Sequence, residues 1–180
     1  MLPLIITTSR LVLRPYRDTD LEEVLRYATD PQWAQFLPVP QPYERAHGVA
    51  FLTQQVAVDR TSSPSWAITA DGLVIGGVDV SIYHTQRRAS IGYSLSPKWW
   101  GRGLATEAAQ AVVDSCFASL DWLNKIAADA DAENSGSLRV MEKIGMQREG
   151  LLRKHRVTHG KIVDVVACGM LREEWESRRS

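Results

Sequence analysis

Ser96-Pro97-Lys98-Trp99-Trp100-Gly101-Arg102-Gly103-Leu104-Ala105-Thr106-Glu107-Ala108-Ala109 decides how the rest of the chain is read. A strand-like run, Ala89 to Leu95, enters it, and Pro97 removes a ladder donor and ends that strand. Past Gly103 the apolar residues recur at helical spacing: Leu104, Ala108 and Val112, then Ala105, Ala109, Val113, Cys116, Phe117 and Leu120. Gly101 and Gly103 stand at the joint, where a residue without Cβ lets backbone approach a ligand closely. Strand, glycine loop and helix start together present unpaired N–H groups at the positive end of a helix dipole. Phosphate binds there. The expectation is a phosphorylated ligand; the competing reading is an ordinary strand-to-helix turn.

Other phosphate loops do not fit. A dinucleotide fingerprint needs a third Gly or Ala at position 106, where Thr106 stands. No G-x-x-x-x-G-K-[ST] run occurs.

Outward from the loop, the chain reads as α+β. Arg10 to Arg14 alternates and predicts a strand. Thr19-x-x-Glu22 and Asp20-x-x-Glu23 are capping-box patterns ahead of a short helix bearing Leu21, Val24, Leu25 and Ala28. Pro31 to Pro42 holds four prolines around Trp33, Phe36 and Leu37, and reads as a loop or broken helix. A helix follows from about Tyr43 to Arg60. Ser65 to Ala70 and Leu73 to Tyr83 form a hairpin on Asp71-Gly72. Beyond the long helix come a strand at Lys125 to Ala130 and a helix at Ser135 to Ile144 with Gly145 as its C′ residue. Strands at Met146 to Thr158 and Lys161 to Leu171 turn at His159-Gly160. This order predicts one domain over 1–180, a mostly antiparallel mixed sheet flanked by helices, with one crossover helix pairing a parallel strand.

Composition bounds the function. The chain has 180 residues, 44% hydrophobic and 23% charged, as a globular domain should. Formal net charge is zero, which argues against bulk electrostatic binding to nucleic acid or membrane. No apolar run approaches a spanning length, and Met1 to Ile6 lacks the basic and apolar regions of a signal peptide. Cys116 and Cys168 lie on apolar patterns and read as small buried hydrophobes, consistent with a cytoplasmic, reducing location. His155 and His159 straddle a strand end, so no metal site is expected.

Trp100-Gly101-Arg102-Gly103-Leu104-Ala105 resembles the [Q/R]-x-x-G-x-[G/A] loop of the GCN5-related N-acetyltransferases. Trp100 departs from the usual Gln or Arg, as in the branch that includes ribosomal-protein N-terminal acetyltransferases. Thr8-Ser9-Arg10-Leu11-Val12-Leu13-Arg14-Pro15 and Ile91-Gly92-Tyr93-Ser94-Leu95 resemble that branch's first and fourth strands. Asn134-x-x-Ser137-x-Arg139-x-x-x-Lys143-x-Gly145-Met146 resembles its second cofactor motif. Gly150-x-x-Arg153, Gly160, Asp164 and Glu174-Trp175 match its C-terminal region, so the resemblance covers nearly the whole chain.

The resemblance implies acetyl-CoA as cosubstrate and a primary amine as acceptor. The pyrophosphate would lie on the amides of residues 101–106, with Trp100, Gly101, Arg102, Gly103, Leu104, Ala105 and Thr106 as the binding segment. Asn134 would hold the pantetheine arm, a role compatible with its reading as an N-cap. Arg139 and Lys143, four apart on one helical face, would meet CoA phosphates or else simply face solvent. A backbone N–H near Leu95 would polarise the thioester carbonyl. Ser137 would protonate the leaving thiolate, because Met141 stands where many relatives carry the acidic Tyr. Pro31 to Pro42 would form part of the acceptor pocket. Relatives are often homodimers.

A general base is missing from its usual place. The branch often has Glu two residues before Gly92, and here Ser90 stands there. Asp79, His84 and Asp164 are the ionisable alternatives. Without a strong base an α-amine, with pKa about 7.7–8.0, is a better nucleophile than lysine at about 10.4. The sequence therefore points to a peptide or protein N-terminus as acceptor. A small-molecule amine such as a polyamine or aminosugar, or a non-catalytic CoA-binding module, are the alternatives.

Overall fold

Hydrogen-bonded strands run through the chain from end to end. The computed structural model, which describes residues 1–179, builds them into one eight-stranded sheet. The strands are β1 (Ile6–Thr7), β2 (Val12–Arg14), β3 (Ser65–Ala70), β4 (Leu73–Tyr83), β5 (Arg88–Leu95), β6 (Lys125–Asp131), β7 (Gln147–Thr158) and β8 (Lys161–Leu171). Their spatial order is β1-β2-β3-β4-β5-β6-β8-β7. The helices are α1 (Leu21–Ala28), α2 (Pro31–Ala34), α3 (Arg45–Val56), α4 (Leu104–Ser119), α5 (Ser135–Lys143) and α6 (Arg172–Ser177).

The two hairpins have a local cause. Asp71 and Gly72 take φ of 50° and 80°, and His159 and Gly160 take 48° and 77°. Two consecutive left-handed residues give the turn whose twist matches an antiparallel pair. The crossover is the other predicted feature: α4 carries the chain from β5 to β6, and these pair in parallel. Ala108, Val112, Val113, Cys116 and Phe117 of α4 are 0–1% exposed against Val78, Val80, Ile91 and Leu95 of the sheet. The opposite face of the sheet holds a second core, where α1 and α3 bring Val24, Tyr27, Ala28 and Leu52 against Tyr16, Ala67 and Val74.

Several local expectations are corrected. Arg10 precedes the strand, which begins at Val12, and β1 pairs with it as Ile6↔Leu13. Neither capping box forms ahead of α1. Asp20 instead accepts two bonds of 2.8 Å from the Arg14 guanidinium and one of 2.9 Å from the Arg17 N–H. Glu23 accepts the Val74 N–H at 2.5 Å, so its carboxylate joins the helix to β4 rather than closing a cap. The Pro31 to Pro42 segment opens with a single helical turn, α2, capped by Asp30 through the Gln32 N–H at 2.9 Å. The following helix is shorter than expected at both ends, and α6 is an addition to the expected elements. Among the described residues no helix is long and apolar enough to cross a membrane.

The N-terminal segment is stapled to the start of α4. Glu107 accepts from Thr8 Oγ1 at 2.6 Å, Ser9 Oγ at 3.0 Å, the Arg10 N–H at 3.0 Å and Arg10 Nε at 2.7 Å. Partial burial works against the charge, but these bonds together hold the Glu107 carboxyl down at about 2, below its ordinary 4.5. The folded state therefore binds this proton less tightly than the unfolded chain. Its stabilisation is present above about pH 4.5 and is lost as pH falls towards 2. Glu107→Ala is expected to lower Tm at pH 7 by roughly 2–8 °C, for about 1–2 kcal/mol after solvent screening. It should also flatten the pH dependence of Tm in that acid window, which thermal melts from pH 2 to 7 would read.

Candidate active site

The functional geometry starts where β5 and β6 stop pairing. They are in register only at Arg88↔Lys125, Ala89↔Ile126 and Ser90↔Ala127; beyond Ser90 the two strands diverge and leave a wedge. Ser96 donates its N–H to Ile75 on β4 at 2.7 Å, and the strand alternation then turns the amides of Leu95 and Tyr93 away from β4, toward the wedge. The Leu95 N–H, the expected carbonyl-polarising donor, thus faces the wedge. The Leu95 carbonyl, on the same side, accepts the Trp100 indole N–H at 2.8 Å. Trp100 is half exposed and anchors the loop to the strand, which its position in the sequence does not reveal.

The glycine loop adopts the conformation its composition suggests. Gly101 and Gly103 have φ of 74° and 76°, and Gly103 is the N-cap of α4. Leu104 is buried and starts the helix, with Ala105 and Thr106 half-buried in its first turn. The Arg102 guanidinium lies 5.0 Å over the Trp99 ring, while its carbonyl accepts from Arg10 Nη1 at 2.9 Å. Arg10 is thus a cation beside the loop, a place that sequence reasoning, which reads it only as part of a strand, does not give it. Arg139 and Lys143 are both exposed on α5.

At the start of α5, the Asn134 side chain caps the helix by accepting the Ser137 N–H at 3.1 Å. Ser137 is held from the sheet side: its Oγ lies 3.3 Å from the Tyr93 hydroxyl, which donates to the Ser137 carbonyl at 3.0 Å. Met141 is 2% exposed and fills the core at the position where the resemblance would put a phenol. Tyr93, from β5, supplies a phenol at the same place. Burial pushes that phenol up to about 12, so it is a neutral donor at physiological pH.

A chamber of about 370 Å³ opens beside the wedge. Gly92, Tyr93 and Ser94 of β5, Asp129 to Asp131 of β6, and Asn134 and Ser137 line its inner end. Trp33 and Phe36 from the proline-rich segment stand in its outer wall with Tyr16, Tyr27, Tyr43 and Phe51. A carboxylate from β4 also lies here. Asp79 on β4 pairs in register with Gly92, two residues along from Ser81↔Ser90, so it occupies the same sheet face as Ser90. A Cβ at Gly92 would stand 3.1 and 3.3 Å from the two Asp79 carboxylate oxygens. Glycine there makes the room. Asp79 is exposed toward the chamber, and desolvation by the protein packed around it pushes its carboxyl up from 3.8 to about 6. The other two candidate bases lie elsewhere. His84 packs on Trp122 and contacts the Thr61 carbonyl, and Asp164 accepts the Lys154 N–H in a separate cleft. The further acids of the chamber, Asp129 and Asp131, are both ion-paired with Arg156.

Sequence comparison agrees with this geometry. Residues 10–147 match the model of the acetyltransferase (GNAT) domain. The chain is 29% identical over 173 residues to the uncharacterised N-acetyltransferase p20 of Bacillus licheniformis, covering 93% of this chain and 96% of that one. The spermidine N(1)-acetyltransferase of Escherichia coli is 27% identical over 91% of this chain and 87% of its own length. The L-amino acid N-acetyltransferase of the same organism is 24% identical over 87% and 94%. The crystal structure of a GNAT-family acetyltransferase from Bacillus anthracis superposes with a TM-score of 0.85 at 27% identity, covering 94% of this chain and 99% of that one. The chain belongs to the GNAT acetyltransferase family. It is an N-acetyltransferase, and acetyl-CoA is its cosubstrate.

Proposed function

We propose that this enzyme acetylates the α-amino group of a peptide or protein N-terminus, with Asp79 as general base. The observation that carries the reading is Asp79, the carboxylate of the chamber with no ion-pair partner, facing it across Gly92 and raised to about 6. A base there lies about 2 pK units below an α-amine and more than 4 below lysine, a difference of roughly 3 kcal/mol in proton-transfer cost. A weak base at this position favours an α-amine over lysine just as the lack of a base would. A polyamine would call for several free acids; Arg156 holds Asp129, which leaves Asp131, with its Oδ1 3.7 Å from Arg156 and not hydrogen-bonded, as the one further acid.

In this reading the CoA pyrophosphate lies on the 101–106 amides, with Arg102, Arg139 and Lys143 near its phosphates, and the pantetheine arm runs through the wedge past Asn134. The amine nitrogen attacks the thioester carbonyl carbon while Asp79 takes its proton. The Leu95 and Tyr93 amides stabilise the oxyanion. The C–S bond breaks, and CoA leaves as a thiolate that solvent protonates. Ser137 and Tyr93 hold their own protons more tightly than a thiol at about 8.5, so their role is to hydrogen-bond the departing sulfur. Ser137→Ala is expected to lower kcat about 10-fold and to change KM for acetyl-CoA less, as steady-state kinetics would show. The family resemblance adds the expectation of a cytoplasmic homodimer.

The test is a panel of peptides with free or blocked N-termini, each with and without lysine, incubated with acetyl-CoA and read by mass spectrometry. Acetylation should follow the free N-terminus. Acetylation that follows lysine and ignores blocking contradicts the reading, and tight acetyl-CoA binding without turnover on any amine points to a binding module.

A further inference from the structure

The glycine loop is held by few contacts, and one of them comes from far away in the sequence. Gly101, Arg102 and Gly103 are all exposed, and no backbone acceptor among the described residues takes their N–H groups. A Cβ at Gly101 would have no neighbour within 4 Å, and one at Gly103 would meet only Arg10 Nη2, at 3.7 Å. Trp100 ties the entry of the loop to β5. At its exit the Glu107 N–H donates to the Gly103 carbonyl at 3.0 Å and closes the first turn of α4. Between these anchors the Arg102 carbonyl accepts from Arg10 Nη1 at 2.9 Å.

This bond decides which way one amide points. The Arg102–Gly103 peptide is trans, so its carbonyl and the Gly103 N–H project in opposite directions from one plane. A carbonyl held toward Arg10 sends the Gly103 N–H to the opposite side of the loop. Sterics alone do not make that choice, because glycine at φ of 76° lets the adjoining plane flip at little cost.

The guanidinium is itself fixed. Its Nε and Nη2 lie against Glu107 Oε2 at 2.7 and 2.6 Å, while Glu107 Oε1 accepts the Arg10 N–H and the Thr8 and Ser9 hydroxyls. The carboxylate takes one edge of the planar group, which leaves Nη1 to reach the loop. Arginine can serve both partners at once because its donors have fixed directions; an ammonium has no such fork. The Arg10 side chain is half exposed, so the ion pair adds little stability of its own and its effect is on direction.

We infer that Arg10 is a positioning residue for acetyl-CoA: clamped by Glu107 at the start of α4, it holds the Arg102 carbonyl and thereby aims the Gly103 N–H at the pyrophosphate. This rests on the placement of the pyrophosphate on the 101–106 amides and adds the residue, from the N-terminal segment, that orients one of them. Arg10 stands on the carbonyl side of that peptide, so it acts through the loop.

The test compares kcat/KM for two acetyl donors, acetyl-CoA and S-acetylpantetheine, which lacks the pyrophosphate and the nucleotide. The wild type should prefer acetyl-CoA by 10-fold or more. Arg10→Ala should lower that preference about 10-fold, through a higher KM for acetyl-CoA at unchanged kcat, as expected for loss of a bond to a charged group made equally in ground and transition states. General damage would depress both donors alike and leave the ratio where it was. Arg10→Lys keeps the charge without the fork and should show most of the same fall. Thr8→Val removes a different bond to Glu107 and should lower Tm while leaving the ratio unchanged. An unchanged ratio in Arg10→Ala, full recovery in Arg10→Lys, or an equal fall in Thr8→Val would overturn the inference while leaving CoA on the loop. A wild type indifferent to the two donors would remove the pyrophosphate placement as well.

Discussion

Replacing Asp79 by Asn is expected to lower kcat/KM for acetyl transfer by roughly 10²–10³-fold, within the usual range for loss of a general base. The carboxylate is the only ionisable candidate base of the three that lies in the chamber, and Gly92 leaves space for it over β5. Two measurements separate this from simple damage. In the wild type, kcat/KM should fall more steeply with decreasing pH below about 6, where Asp79 takes up a proton. The variant should lose that inflection and keep only the one belonging to the amine. Stability should move the other way. Because the folded-state value is raised from 3.8 to about 6, the folded protein binds more protons than the unfolded chain between those values. Stability from this group therefore falls as pH rises from about 4 to 6 and stays reduced above. Asn removes that penalty, so Tm of the variant at pH 7.5 should equal or exceed that of the wild type. An inactive variant with a lowered Tm would contradict the assignment. Gly92→Ala, which crowds the same carboxylate, should reduce activity in the same direction.

Gly103→Val is expected to weaken acetyl-CoA binding by roughly 10–100-fold, which calorimetry reads directly. The side chain would have space: the nearest atom to a Cβ at this position is Arg10 Nη2 at 3.7 Å. The penalty comes from the backbone, since φ of 76° is strained for a β-branched residue, by about 1–3 kcal/mol. The chain relieves the strain by turning the loop, and the amides that begin α4 lose their alignment toward the phosphates. Unchanged CoA affinity in a folded variant would remove the loop from the binding site.

How far the chain can be read from its sequence follows from the range of the interactions involved. The hairpins at Asp71-Gly72 and His159-Gly160 and the loop at Gly101 and Gly103 are set by backbone conformations that only a few residue types tolerate, so they are legible in order. The parallel pairing across α4 follows from strand, helix and strand lengths. The capping boxes ahead of α1 mislead because Asp20 and Glu23 are claimed by Arg14 and by the Val74 amide, partners that lie outside the helix. The site shows the same division. Asn134 and Ser137 belong to one helix start and are legible together. The positions of Asp79 and Tyr93 are not, because each brings to the site a group looked for on another element: Asp79 a carboxylate sought at 90, and Tyr93 a phenol sought at 141. Sheet register and the meeting of β5 with α5 put them there, and neither is written in local spacing. Gly92 is the available signal, as a residue lacking a side chain opposite Asp79.

The most direct measurement is a crystal structure with acetyl-CoA and a slow amine acceptor bound. The account predicts the pyrophosphate on the amides of residues 101–106 and the thioester in the wedge between β5 and β6. Its carbonyl oxygen should lie within hydrogen-bond distance of the Leu95 or Tyr93 N–H, its sulfur beside Ser137, and the acceptor nitrogen beside the Asp79 carboxylate. A thioester in that wedge with the acceptor nitrogen far from Asp79, or a CoA bound outside the wedge, would contradict it.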